Sequence, residues 1–246
     1  MAKKWSAWLA MGLVLAGPIT TFGTPTGIDL ISQEHHVWGS AGSSTQFFPG
    51  GTEVSYDQTS SGPLDVSVSG TYMHPFYGEF PLTARSQAGD FRVETQGVYW
   101  FSEAYAQSRY VFAPQAEISG LRLQFSGSGY GTGLSSETNV RFALDDLTAG
   151  TPIGSLAAPG DPVSPDDLGG WDWPPSTWSL MWDSTYPIDP THLYAMTLFA
   201  YAGGGDAERG ALLDVNVQAI VPAPGALLLA VIGAALVGWR RRSTAR

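Results

Sequence analysis

The sequence predicts an all-β protein built as an antiparallel β-sandwich, of the jelly-roll or immunoglobulin-like type. Three observations support this fold class. Apolar and polar residues alternate with a period of two along many short segments of residues 24–220. The 30 glycines and 17 prolines supply the turns that many short strands require. No segment of this body carries a sustained apolar stripe with the 3.6-residue period of a helix.

The predicted strands are half-buried, with one face toward the core and the other toward water. Alternation marks them at residues 64–69, 91–95, 121–126, 140–144, 193–201 and 213–219. Glycine-rich connectors are expected at 126–133, 149–150 and 202–206, because glycine allows the positive φ angles of tight reversals. Residues 151–177 contain six prolines and are expected to be irregular.

Charge is distributed unevenly along the chain, which has a formal net charge of −10. Six of the twelve basic residues lie at the two ends, and all 22 acidic residues lie between those ends. Six arginines and no lysine oppose them there. Because nucleic-acid binding needs a basic surface that displaces counterions, no nucleic acid is expected as a partner.

Residues 1–23 are predicted to be a secretory signal peptide, which places the start of the folded domain at residue 24. Lys3 and Lys4 precede an apolar run over residues 5–17. This run is shorter than the ~20 apolar residues that a spanning helix needs. The expected partners of this end are the secretion translocon and signal peptidase.

The last part of the chain, residues 221–246, is predicted to be a membrane-inserted tail. Two prolines precede a short transmembrane helix at 225–239, which would span about 22 Å at 1.5 Å per residue. Three arginines follow and favour a cytoplasmic end, in agreement with export of the body. The prolines hold the preceding residues extended. That conformation suits both a peptidase substrate and the neck of a permanent anchor, and geometry alone leaves both open.

The order of parts in this tail resembles the PEP-CTERM sorting signal of exported bacterial proteins. The residues that carry the resemblance are Val221, Pro222, Ala223, Pro224, Arg240, Arg241 and Arg242, with the apolar helix between them. Ala223 stands where the family typically has Glu, as in a recognised variant of the motif. The resemblance implies that an exosortase-type membrane enzyme recognises the two prolines and removes the tail. The arginines would act as the stop signal, and the body would pass to the cell surface or the extracellular matrix.

Five aromatic side chains form a candidate ligand-binding cluster, and an exopolysaccharide is the candidate ligand. They are Trp171, Trp173, Trp178, Trp182 and Tyr186. Exposed flat rings suit a sugar-binding platform. Trp178, Leu180 and Trp182 also alternate as residues of a core-facing strand do, and tryptophans are mostly buried. Both interpretations stay open at this point.

Metal, cofactor and catalytic sites are not predicted. Asp161, Asp166, Asp167 and Asp172 are weak calcium candidates, because they supply the oxygen ligands that Ca²⁺ prefers but lack the EF-hand spacing. The alternative is a solvated acidic loop. The absence of cysteine excludes thiolate-bound zinc, and the four histidines are scattered.

The sequence therefore predicts an exported, non-enzymatic protein with a structural or adhesive role. Its tail would hold it transiently in the inner membrane before its release to the cell surface or the extracellular matrix. One alternative is a carbohydrate-binding module that uses the Trp171–Trp182 cluster. A second is a secreted hydrolase with a dispersed site, since serine, histidine and aspartate are all present.

Overall fold

A computed structural model describes residues 25–42, 53–74, 76, 78–98, 102–131, 137–158, 177–203 and 208–221. The predicted signal peptide at 1–23 and the predicted tail helix at 225–239 lie outside these residues. The described strands are β1 (Ile28–Ala41), β2 (Val54–Ser60), β3 (Leu64–His74), β4 (Gly78–Gly89), β5 (Arg92–Val98), β6 (Ser102–Pro114), β7 (Gly120–Gly131), β8 (Glu137–Asp146), β9 (Thr151–Ala158), β10 (Thr177–Pro187), β11 (Tyr194–Gly203) and β12 (Glu208–Ile220).

The strands form two six-stranded antiparallel sheets, which confirms the predicted all-β sandwich. Sheet A has the order β2-β1-β6-β11-β8-β9, and sheet B has the order β10-β7-β12-β5-β4-β3. The chain passes from one sheet to the other at each step from β5 to β8 and again from β9 to β12. This alternation is typical of Greek-key sandwiches, the group that includes the jelly roll.

The core lies between the sheets and is built from the inward-facing residues of each strand. In β6, every second residue from Ser102 to Pro114 is buried, and the same holds for Glu137–Asp146 in β8. Phe91 stacks on Tyr110 with ring centroids 4.3 Å apart, which joins the sheets near the β4–β5 turn. Full burial of each large apolar side chain contributes roughly 1.5–3 kcal/mol, so this continuous layer is the main stabilising element.

The predicted apolar stripes of four strands point into this core. Leu121, Leu123 and Phe125 of β7 are almost fully buried. The inward-facing residues of β5, β8 and β12 are also buried. They are Val93, Thr95, Val140, Phe142, Leu144, Leu213, Val215 and Val217. Period-two alternation therefore predicted both the strands and their buried faces at these positions.

Two predicted irregular segments are strands instead. Residues 126–131, expected to be a connector, continue β7 and pair with both β10 and β12. Their glycines leave room for large side chains on the neighbouring strand: a Cβ at Gly129 would overlap the indole of Trp178. Residues 151–158 form β9, which pairs with β8 and, among the described strands, lies at the edge of sheet A. Pro152 fits there because an edge strand does not need every backbone N–H for pairing.

Among the described residues, two basic side chains are fully buried inside the sandwich. His35 of β1 contacts the Ser108 hydroxyl through Nδ1 at 2.9 Å, and burial lowers the pKa of its imidazole. Arg209 of β12 donates through Nη2 to the carbonyl and the hydroxyl of Ser102, and burial lowers its pKa to about 10. Arg209 thereby joins the start of β12 in sheet B to the start of β6 in sheet A.

Candidate functional site

The predicted aromatic cluster does not form one exposed platform within the described residues. Trp178 is partly buried against the core, and its indole N–H donates to the Thr138 hydroxyl at 2.9 Å. Tyr186 is also partly buried and lies 6.5 Å from the ring of Phe142. Both side chains therefore pack in the structure, while Trp171 and Trp173 lie outside the described residues.

Trp182 is the exposed one of the three cluster members that the structure describes. It lies on β10, at the edge of sheet B, and 48% of it is accessible to solvent. Its neighbour Met181 points to the opposite face of the strand and is 89% exposed. A single exposed indole can contact a ligand, but it does not form the extended surface that the sequence suggested.

The remaining predicted sites fall largely outside the described residues. These are Asp161, Asp166, Asp167, Asp172, Pro222, Ala223, Pro224, Arg240, Arg241 and Arg242. Val221 is described and is exposed directly after the end of β12. In the part of the chain that the structure covers, no three His, Asp or Glu side chains lie close enough to hold a metal ion. That part also contains no helix with the length and apolarity needed to cross a membrane.

The three histidines whose side chains the structure describes occupy separate environments. His35 is buried in the core, while His36 faces outward and contacts Asp57 at 2.7 Å. His192 contacts Asp146 at 2.7 Å through Nδ1, and this bond raises the pKa of its imidazole. Asp146 also accepts the N–H of Ala149, so the cluster fixes the turn after β8. Its contacts are those of a structural turn.

A different surface carries a set of aromatic side chains that alternation alone did not identify. On the outer side of sheet A, the register aligns Trp38 of β1, Tyr105 of β6, Tyr201 of β11 and Asn139 of β8 in one row across the strands. The next row contains His36, Gln107, Phe199 and Arg141. We call these two rows the aromatic face. All eight side chains are only partly exposed.

The rings of the aromatic face contact one another. Tyr105 meets the ring of Phe199 edge-on, with centroids 4.8 Å apart, and lies 5.5 Å from the ring of His36. Its hydroxyl donates to the side-chain carbonyl of Gln107, and burial raises its pKa. These contacts fix the ring positions, so a ligand would meet a preformed surface.

One end of the aromatic face carries two carboxyl groups. Glu103 and Glu137 flank Gly203 in the row beyond Tyr201, and the Tyr201 ring extends over Gly203, where a Cβ would overlap it. Burial raises the pKa of both carboxyl groups, and the charge of Glu103 adds to the shift of Glu137. Burial and these two acids also raise the pKa of Tyr201.

The sequence contained one signal of this face, in strand β11. The stripe predicted from residues 193–201 includes Thr197, Phe199 and Tyr201, which point outward, while Tyr194, Met196 and Leu198 fill the core. Both faces of β11 are therefore apolar. This outward-facing apolar stripe is therefore the sequence signal that marks the aromatic face.

Comparisons with known proteins give no family assignment. No protein-family model matches the sequence, and no curated protein matches it. Among solved structures, a carbohydrate-binding module with specific mannan recognition is 8% identical, over 65% of this chain and 89% of its own, with a TM-score of 0.27. A carbohydrate-binding module of the β-sandwich superfamily, described as promiscuous in specificity, is 10% identical over 76% and 84%, with a TM-score of 0.25.

A third solved structure, from the Gt strain of infectious bursal disease virus, is 11% identical over 81% of this chain and 59% of its own, with a TM-score of 0.24. At these identities and TM-scores, none of the three similarities carries an argument about function. The fold assignment rests on the strand order and the register described above.

Proposed function

We propose that this chain is an exported, non-enzymatic carbohydrate-binding β-sandwich that contacts a glycan through the aromatic face of sheet A. The observation that carries the proposal is the row of Trp38, Tyr105 and Tyr201 on three adjacent strands. Aromatic rings bury large apolar areas and keep polar tips, so they suit a ligand with both C–H faces and hydroxyl groups.

The dimensions of the row suit an extended ligand. Trp38 and Tyr201 are two inter-strand spacings apart, about 10 Å at ~4.8 Å per strand. This length accommodates more than one sugar ring laid across the strands. Gln107 and Asn139 lie beside the rings and supply amide N–H groups that can donate to hydroxyls. Binding to a matrix polysaccharide would give the protein the adhesive role that its sequence suggested.

Affinity electrophoresis tests the proposal. The purified protein would be run through gels that contain soluble exopolysaccharide extracted from the producing bacterium. We expect retardation, and we expect Trp38→Ala to weaken binding about tenfold because a central aromatic contact is lost. Trp182→Ala is the matched control, because this indole lies at the edge of sheet B. Absence of retardation, or equal binding by Trp38→Ala, would reject the aromatic face as the site.

We also propose that residues 221–246 are an exosortase-type sorting signal. The exposed position of Val221, one residue after β12, supports this proposal because the proline motif then follows directly from the surface of the domain. Replacing Pro222 and Pro224 by Ala should leave an uncleaved membrane form. Replacing the three arginines by Ser should impair membrane retention of the tail. Normal maturation of both variants, judged by intact mass, would contradict this role.

A further inference from the structure

Two arginines on the outer face of sheet A, Arg109 and Arg141, contact no acidic side chain within the described residues, and Arg141 is the half-buried one. Arg85 contacts Asp65 at 2.8 Å, Arg92 contacts Glu94 at 2.6 Å, and Arg122 contacts Asp183. The chain has 22 acidic residues and twelve basic ones. An arginine that contacts no carboxylate is therefore unexpected in this protein.

The register explains why no carboxylate reaches Arg141. Its direct cross-strand neighbours are Phe199 on β11 and Ala157 on β9. Its neighbours along the outer face of β8 are Asn139 and Ala143. None of these residues is acidic, so no carboxylate lies next to the guanidinium in the described part of sheet A.

The guanidinium is also held in place. Its central carbon lies 5.5 Å from the ring centroid of Phe199, a cation–π contact that orients the planar group over the aromatic face. The Nε atom of Arg141 and the Oδ1 atom of Asn139 are both buried without a hydrogen-bond partner in the described structure. Because neither atom is accessible to solvent, a ligand at the surface would bond the terminal nitrogens of Arg141.

We propose that Arg141 binds the carboxylate of an acidic sugar within the glycan that occupies the aromatic face. This inference rests on the proposed function and adds the charge class of the ligand. A guanidinium can donate two parallel hydrogen bonds to one carboxylate, which gives both affinity and orientation. The rings of Phe199 and Tyr105 beside it would contact the sugar that carries this group.

The charges around the site restrict the ligand further. Glu103 and Glu137 lie two rows from Arg141, toward the end of the face that contains Gly203, and the body as a whole is strongly acidic. A polymer with a carboxylate on every sugar would be repelled by these groups. The site therefore fits a glycan in which single acidic sugars are spaced by neutral ones.

Chemical reduction of the ligand provides the test. The extracted exopolysaccharide would be used before and after reduction of its carboxyl groups to alcohols, with affinity electrophoresis as the readout. We expect the reduced polymer to bind the wild-type protein roughly ten- to a hundredfold more weakly, as for loss of a hydrogen bond to a charged group.

The Arg141→Gln variant should bind the native and the reduced polymer equally, with the affinity that the wild-type protein has for the reduced one. Arg122→Gln, on the outer face of sheet B, is the matched control and should keep the wild-type preference.

The outcomes separate this inference from the proposed function. If native and reduced polymers bind the wild-type protein equally, the role of Arg141 is wrong and glycan binding by the aromatic face stands. The role is also wrong if Arg141→Gln keeps the preference for the native polymer. If neither polymer binds, the proposed function itself fails, and this inference fails with it.

Discussion

Trp178 and Trp182 show at the residue scale how two identical side chains on one strand acquire different roles. Both face the inner side of β10, and the register places Trp178 opposite Gly129 and Trp182 opposite Phe125. Glycine leaves space in which the indole of Trp178 can pack, whereas the buried ring of Phe125 already fills its own position. Trp182 consequently remains exposed.

Substitution of these two residues should separate packing from exposure. We expect Trp178→Ala to lower the free energy of unfolding by about 3 kcal/mol, because a packed indole and its hydrogen bond to Thr138 are lost. Trp182→Ala should change it by less than about 1 kcal/mol. Denaturant unfolding measures both values, and equal losses would contradict the assigned packing.

The buried imidazole of His35 should make the fold sensitive to mild acid. Burial lowers its pKa below the ordinary 6.5 and outweighs the opposing charge of Asp90. The unfolded chain therefore takes up this proton at a higher pH than the folded chain does. The contribution of His35 to stability is lost as the pH falls below about 6.5.

Thermal unfolding between pH 8 and pH 5 tests this consequence. His35→Gln should reduce the fall in Tm over this interval relative to wild type, even if it is less stable at pH 8. His36→Gln is the matched control, because this neighbouring imidazole lies on the outer face beside Asp57. An unchanged pH slope in His35→Gln would show that the buried ring does not govern the acid response.

At the element scale, alternation predicted strands well when one face was clearly apolar. It failed for the end of β7, because Gly127, Gly129 and Gly131 have no side chains to form a pattern. Their strand conformation comes from pairing with β10 and β12, which is information that a local segment does not contain. For β11, alternation predicted the wrong face: the stripe that ends in Thr197, Phe199 and Tyr201 was expected to face the core, but these three side chains point outward because both faces of the strand are apolar.

The glycines of β7 provide a paired test of this packing. Gly129→Ala should destabilise the protein by about 1–3 kcal/mol, because the new methyl group would overlap the indole of Trp178. Gly127→Ala, two residues away on the same face, should be nearly neutral because its closest neighbour, the Leu212 carbonyl, is 3.4 Å from the new Cβ. Chemical denaturation compares the two. Similar effects at both positions would argue against the described β7–β10 packing.

At the scale of the whole molecule, the aromatic face could not be predicted from sequence spacing. Its residues come from β1, β6, β11 and β8, and Trp38 and Tyr201 are far apart in the chain. The predicted cluster at 171–186 was compact in sequence, but the described part of it is divided between the core and the edge of sheet B. Proximity along the chain was therefore a poor guide to the site, because a sandwich assembles its faces from distant strands.

The central claim, that sheet A binds a glycan through its outer aromatic face, is tested most directly by NMR. Labelled protein would be titrated with oligosaccharides prepared from the exopolysaccharide, and the indole N–H signals would be assigned by single Trp→Phe variants. The account predicts that the Trp38 signal shifts together with backbone signals of β1, β6 and β11, while the Trp182 signal stays in place. Shifts confined to Trp182 and β10, or no shifts at all, would contradict it.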